Sequence, residues 1–442
     1  MALRDTKRAA FGLVALLAAA PLAGQAPASA KLTFAAAVQR AAGSAPVVEL
    51  AGLRSDEASA RVRQAKSALL PSLDASAFWL NRSFNSHSIG ISFPGFPTLI
   101  GPFNNYDARL RGSLTLFSAA TFKRVGAARA QLTSAEADAA VAAEGSAQAA
   151  AVAYLRAARA AAVVNARRAD SALAAELLGL ALAQKAAGVS SAIDVTRART
   201  ELVTSENALL VAVNQVARAR IDLARALGFD PAAPLELADT LRADLAATDV
   251  PVDRDGAVTR ALQARPDLQA EVALGNAARQ ARSAISAERL PRLDVGGDYG
   301  VNGLTAPKAI GTTDLQLQVS VPLFDGFRRE GRIAEQSAVA EAATVRERDL
   351  RQQVAGDVQS ALLDLNTAQA QQAIAAERLQ LAQDELTQAR QRFAAGVAGN
   401  IEVIDAQASL LRARDGDIDA RFAAATARVA LARAVGAART LH

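Results

Sequence analysis

Covalent chemistry needs nucleophiles, bases or metal ligands gathered in one place, and this chain offers few to gather. Its two histidines, His87 and His442, lie far apart in sequence, and there is no cysteine. That removes disulfides, thiolate metal sites and an N-terminal lipid anchor on cysteine. No glycine-rich phosphate loop and no nucleophile elbow is present. Gly296-Gly297 falls inside a strand-like alternation, where a bend or close packing accounts for it. One pair of carboxylates has a regular spacing: Glu402 and Asp405, three residues apart, share a helix face. On its own such a pair reads as a solvated acidic surface. The chain is expected to be no enzyme, with no cofactor and no metal. The formal net charge is +5, but the arginines are scattered among carboxylates along helical stretches. That is the look of solvated helix faces, so no nucleic-acid partner is expected.

Those residues sit in a chain of 442 residues with only 4% aromatics and long alanine-rich stretches, a composition for elongated helices more than for a globule. The first thirty residues carry Arg4, Lys7 and Arg8, then the apolar stretch Phe11 to Leu22, then Ala28-Ser29-Ala30. This is the pattern of a cleavable signal peptide ending before Lys31; a buried N-terminal helix is the other reading. Apart from Phe11 to Gly24, no charge-free run approaches the ~18–20 residues of a membrane helix.

The remainder is one unit written twice. Ala187-Gly188-Val189 with Ile193-Asp194-Val195 recurs as Ala395-Gly396-Val397 with Ile401-Glu402-Val403. Arg225-Ala226-Leu227-Gly228 returns at the same offset as Arg433-Ala434-Val435-Gly436, and Leu70-Pro71-Ser72-Leu73-Asp74 returns as Leu290-Pro291-Arg292-Leu293-Asp294. No proline lies between Phe103 and Asp230 or after Pro322. Since an interior proline costs ~3 kcal/mol, both regions can be continuous helix. After Gly188, Val195, Leu202, Leu209, Val216 and Leu223 repeat every seven residues, interleaved with Ala198, Ser205, Ala212, Ala219 and Ala226. One large and one small row is a closely packed coiled-coil seam. The second copy keeps Val403, Leu410 and Leu431 but puts Asp417 in the series. Gly188 and Gly396, followed by Ser190, Ser191, Gly399 and Asn400, mark the points where each helical run turns back.

Between the helices the period changes from seven to two. Asp107 to Phe117, Leu293 to Val301 and Asp314 to Val321 alternate polar and apolar residues, and Leu73 to Leu80 does so except at Phe78. Most aromatics cluster in Phe78–Phe122 and Tyr299–Phe327. Segments of about ten residues with one apolar face, flanked by aromatic girdles, suit an outer-membrane barrel; a soluble sheet stacked on the helices is the alternative. Four strands cannot close a barrel, which takes at least ~8, and a bare strand edge in lipid costs several kcal/mol per backbone group. An oligomer is therefore required. The expected organisation is a signal peptide 1–30, then a first repeat 31–228 with strands near 72–82 and 107–117 and a tip near 188. A linking segment 229–255 leads to a second repeat 256–442 with strands near 292–302 and 313–323 and a tip near 396. Loops Arg82–Tyr106 and Asn302–Thr313 join the strands.

The duplicated helix, strand pair and helical hairpin resembles the TolC-type outer-membrane efflux proteins. So do Leu-Pro-x-Leu-Asp before a strand, Val321-Pro322-Leu323-Phe324-Asp325-Gly326 after one, and Ala-Gly-x5-Asp/Glu-Val at each tip. The resemblance covers essentially the whole chain after residue 30. It implies a mixed α and β membrane fold in which three copies, four strands each, close a twelve-stranded barrel over an α-helical coiled-coil tunnel reaching into the periplasm. It implies a homotrimer in outer-membrane lipid that meets a periplasmic adaptor protein and an inner-membrane pump or ABC transporter. Such an assembly is the exit duct of a tripartite efflux pump or type I secretion system. By position, Glu402 and Asp405 match carboxylates that ring the periplasmic gate, where acidic rings favour cations. Asp194, Phe393 and Ala398 match the coil contacts at the entrance. Phe393 and Ala398 stand where the family type has tyrosine and arginine, so those two restraints cannot form here as such. Gly188, Val189, Ser190, Gly396 and Val397 match the adaptor-docking tips. A periplasmic or surface coiled-coil structural or adaptor protein is the alternative reading.

Overall fold

The computed structural model describes residues 31–442 except 92, 243, 245, 247–249, 252, 396 and 398. The expected signal segment 1–30 and two of the tip residues, Gly396 and Ala398, lie outside the described residues.

The chain opens with a short strand β1 (Lys31–Leu32) and helices α1 (Phe34–Ser44) and α2 (Pro46–Ser67), α1 capped by the Thr33 hydroxyl and α2 begun by proline at its first turn. Strands β2 (Ser72–Asn85) and β3 (Leu99–Ser118) form a hairpin. Then come α3 (Ala119–Ala186), α4 (Ala192–Ala226), the short strand β4 (Glu236–Leu237), α5 (Arg254–Ala264) and α6 (Pro266–Ser286). A second hairpin, β5 (Arg292–Gly303) and β6 (Ile310–Ser320), leads into α7 (Arg328–Ala394) and α8 (Asn400–Val435).

The four long strands make one antiparallel sheet in the order β2-β3-β5-β6, and β2 and β6 are its open edges. The strands reach further than alternation alone predicts. The first hairpin pairs as far as Asn85 with Leu99, so much of the expected Arg82–Tyr106 loop is strand. A register shift between Arg82 and Phe84 explains the omission, because a bulge interrupts the period of two on which the reading depends. β6 lies a few residues earlier than expected. It starts at Ile310 and stops at Ser320, just before Pro322, whose nitrogen cannot donate to a ladder.

α3, of 68 residues, and α7, of 67, are each roughly 100 Å long at ~1.5 Å per residue. α3 starts on the Ser118 hydroxyl, which accepts from Thr121 N, and ends where Gly188 turns left-handed at φ +75°. There Val189 N donates to Gln184 O, and α4 begins with Ser191 and Asp194 as a reciprocal capping box. Along α4 the small row Ala198, Ser205 and Ala212 is buried while Val195, Leu202, Leu209 and Val216 are half-buried. The small side chains therefore set how closely α4 lies on α3. Asp417, the break in the second seam, is buried and paired with Arg421 one turn along the same helix.

Midway along α3 the helices are tied together. Phe34 packs edge-on against Tyr154 with centroids 5.6 Å apart, and Val38, Leu155, Leu223, Leu227, Val429 and Leu441 close around them. The buried Tyr154 hydroxyl donates to Leu32 O at 2.8 Å and lies 3.0 Å from Asp239 Oδ2, while β1 pairs in parallel with β4. Burial raises the Tyr154 pKa, so the phenol remains a donor. Leu241, Ala246 and Val250 of the linking segment are also buried. Among the described residues no helix is long and apolar enough to cross a membrane.

Candidate functional site

At the second tip, α7 ends and α8 begins so close together that Arg392 in the last turn of one meets Glu402 in the first turn of the other, Nε to Oε1 at 3.0 Å. Asp405, one turn on, is exposed and has no ion pair among the described residues. Val403, Ala406, Leu410 and Ala413 are buried and form the seam of α8; Glu402 flanks that seam and is partly buried, and Asp405 lies further round the helix in solvent. The two expected carboxylates are thus one turn apart, and one of them is engaged by Arg392. The sequence reading missed that partner; its signal is an arginine at the end of α7 paired across a tight turn with the acidic residue opening α8.

Phe393 does not lie at the surface. It is 6% exposed and belongs to one buried cluster with Leu177, Ala382, Leu386, Ala389 and Val403, drawn from three helices. Gln184 Nε2 reaches its carbonyl at 3.5 Å, and Arg390 pairs with Glu176 beside it. Asp194 acts as a cap: its carboxylate accepts from Ser191 Oγ at 2.6 Å, Ser191 N at 3.1 Å and Ser190 Oγ at 3.1 Å. The Ser191 hydroxyl first, and then the other donors and Arg197, hold its pKa below the usual carboxylate value. At the tips, Val189 and Val397 are 70% and 73% exposed, and Ile193 and Ile401 are exposed beside them. A Cβ on Gly188 would meet nothing, so its left-handed turn and not crowding requires glycine.

Higher up, α3 and α8 are joined by ions. Asp170, almost wholly buried, accepts from Arg167 and from Arg414, and Arg167 also forks onto Asp415 at 2.7 and 2.8 Å. Nothing in the periodicity announced this cluster, because its members sit in two helices more than two hundred residues apart.

At the opposite end the sheet has two faces. Leu73 stands in register with Gly112, Gly297 and Leu315; Leu114 with Val295 and Leu317; Trp79 with Tyr106. These rows form an exposed apolar face. On the other face Arg109 lies between Asp107 and Asp298, at 2.8 Å from each, and Thr115 donates to Asp294. Gly300 stands opposite Arg109, and a Cβ there would come within 2.6 Å of Ala108 O, so bare glycine leaves the arginine its path. A sheet apolar outside, polar inside and open at both edges is one sector of a membrane barrel. Among the described residues no group of acidic residues and histidine is gathered to hold a metal.

The chain belongs to the outer membrane efflux protein family, whose model matches residues 37–229 and 257–437. It is 29% identical over 269 residues to Protein CyaE of Bordetella pertussis; the match covers 59% of this chain and 56% of that protein, so the aligned part spans a little over half of this relative. The outer membrane channel CmeC of Campylobacter jejuni has the same fold, with a TM-score of 0.78 at 16% identity over 92% of this chain and 86% of that one. So has the outer membrane protein VceC of Vibrio cholerae, with 0.75 at 21% identity over 91% and 96%. The fold is that of the outer-membrane channel-tunnels: mixed α and β, each chain giving four strands to a barrel that needs further copies to close and continuing it as a long helical tunnel.

Proposed function

We propose that three copies close a twelve-stranded barrel in outer-membrane lipid, β6 of each pairing with β2 of the next, over a tunnel whose tips meet a periplasmic adaptor. The protein then acts as the passive exit duct for an inner-membrane pump or ABC transporter, in efflux or type I secretion, and performs no chemistry of its own. The observation that carries this reading is the four-stranded sheet with an exposed apolar face and two open edges, since such a face suits lipid while open edges are stable there only when further copies pair with them. The exposed Val203, Leu210 and Val213 of α4, with Leu363, Ile374 and Leu381 of α7, supply apolar helix surface for neighbouring subunits. The exposed valines and isoleucines of the tips suit the apolar edge of a docking adaptor. Export by a cleaved signal peptide at Ala30 fits the same placement. The test is single-channel recording of the purified chain in planar bilayers. Small cation-selective openings that lose selectivity in Glu402→Ala/Asp405→Ala support the duct and its acidic entrance. Well-folded protein that never conducts, together with a soluble periplasmic pool, would favour the coiled-coil structural alternative.

A further inference from the structure

The strand ends on the helix side of the sheet define one rim. Ser118, Arg292 and Ser320 are in register, and β2 starts higher, with Ser72 opposite Ser113, so the α2–β2, β3–α3, α6–β5 and β6–α7 junctions follow one another along that rim. Cations gather there, and most are paired within the chain. Glu288 takes both Arg124 and Arg332. Arg289 pairs with Glu330, Arg292 with Asp294 and Arg329 with Asp325. Lys66, Lys123 and Arg328 are different: all three are exposed, and none has a carboxylate within ion-pair distance among the described residues.

Each of the three adjoins exposed apolar surface. Leu70 follows Lys66 and Phe122 precedes Lys123; Phe324 and Phe327, stacked edge-on at 5.5 Å, precede Arg328. Unpaired cations beside exposed aromatic and aliphatic side chains, at the rim of an apolar sheet face, match the boundary between acyl chains and charged headgroups. We propose that Lys66, Lys123 and Arg328 form a collar that binds the phosphates of anionic phospholipids in the leaflet on the helix side of the barrel. This rests on the membrane-channel reading. The occupant is a lipid and not a protein because the three cations are spread along the rim at three of the four junctions, each beside exposed apolar side chains that continue the apolar face of the sheet.

The test uses the full chain reconstituted with mixed phosphatidylglycerol and phosphatidylcholine, then stripped in detergent and weighed by native mass spectrometry to count retained lipids. Wild type should keep phosphatidylglycerol in preference to phosphatidylcholine. The variant Lys66→Gln/Lys123→Gln/Arg328→Gln should lose retention by about five-fold per cation removed. A control, Arg54→Gln/Arg199→Gln/Arg378→Gln, removes three exposed cations from the helices and should behave as wild type. The collar is overturned if wild type shows no preference, if the control loses as much as the collar variant, or if the collar variant changes oligomeric state while keeping its lipid. Conductance of wild type is recorded in parallel: a protein that conducts without lipid preference sinks the collar alone, and one that neither inserts nor conducts sinks the channel reading.

Discussion

Arg392 and Glu402 face each other across the tip of the second hairpin at 3.0 Å, so one of the two acidic residues at the proposed entrance is neutralised from within its own chain. Both side chains are about half exposed, and an exposed pair is worth only ~0–1 kcal/mol to stability. Its consequence is therefore electrostatic. Arg392→Ala should leave the thermal midpoint nearly unchanged while raising cation selectivity in planar bilayers, since three copies would gain three uncompensated carboxylates. Glu402→Gln should do the opposite. Equal selectivity in both variants would place the selective constriction elsewhere.

The Asp170 cluster predicts a different balance. Asp170 is buried between Arg167 and Arg414, and losing one partner of a buried pair typically costs about 3 kcal/mol because the other charges stay desolvated. Asp170→Asn should lower the temperature at which the oligomer dissociates in detergent. The nearby Arg159–Asp419 pair joins the same two helices but is exposed at both ends, so Asp419→Asn should shift that temperature far less. Matching losses in the two variants would show that burial does not set the strength of this seam.

How much of this was legible in the sequence depended on whether a feature is local. The tips were readable because Gly188 must turn left-handed and Ser191 must cap the helix that begins at Ala192, requirements met within a few residues. The strands were readable wherever the period of two ran unbroken and were cut short where the shift at Arg82 and Phe84 broke it. The heptad of α4 located the seam, while the burial of Ala198, Ser205 and Ala212 in preference to Val195, Leu202, Leu209 and Val216 shows that backbone approach governs it below the core at Leu223. The engagement of Glu402 by Arg392, the burial of Phe393 and the ion cluster at Asp170 depend on which helices become neighbours. No periodicity carries that information.

Asp267 supplies a pH signature. Burial works against its charged form, but the forked hydrogen bonds and charge of Arg265, at 2.6 and 3.0 Å, and the Leu268 amide outweigh this and hold its pKa below the usual value. A carboxylate depressed on folding gives stability that is present above its unfolded pKa of about 3.9 and is lost as pH falls through the lower folded value. The thermal midpoint of wild type should therefore hold from neutrality to about pH 5 and fall below pH 4. Asp267→Asn should start lower at neutral pH and fall less steeply in acid. An unchanged acid slope would mean that other carboxylates control it.

The first tip gives the sharpest separation of folding from function. Gly188 adopts φ +75°, and the space around its Cβ position is empty, so a side chain there meets no clash and incurs only the left-handed backbone cost of roughly 1–2 kcal/mol. That cost falls at the extreme end of a 68-residue helix, far from the equatorial core around Tyr154 and from the sheet. Gly188→Val should therefore assemble and conduct in planar bilayers as wild type does, while export in cells that depends on a docked adaptor falls at least ten-fold. If the adaptor grips these tips, Val189→Asp should act likewise, because it places a charge on an exposed apolar residue without touching the turn. Normal export with both variants would remove the tips from the docking surface. Loss of conductance as well as export would show that the tip shapes the pore itself.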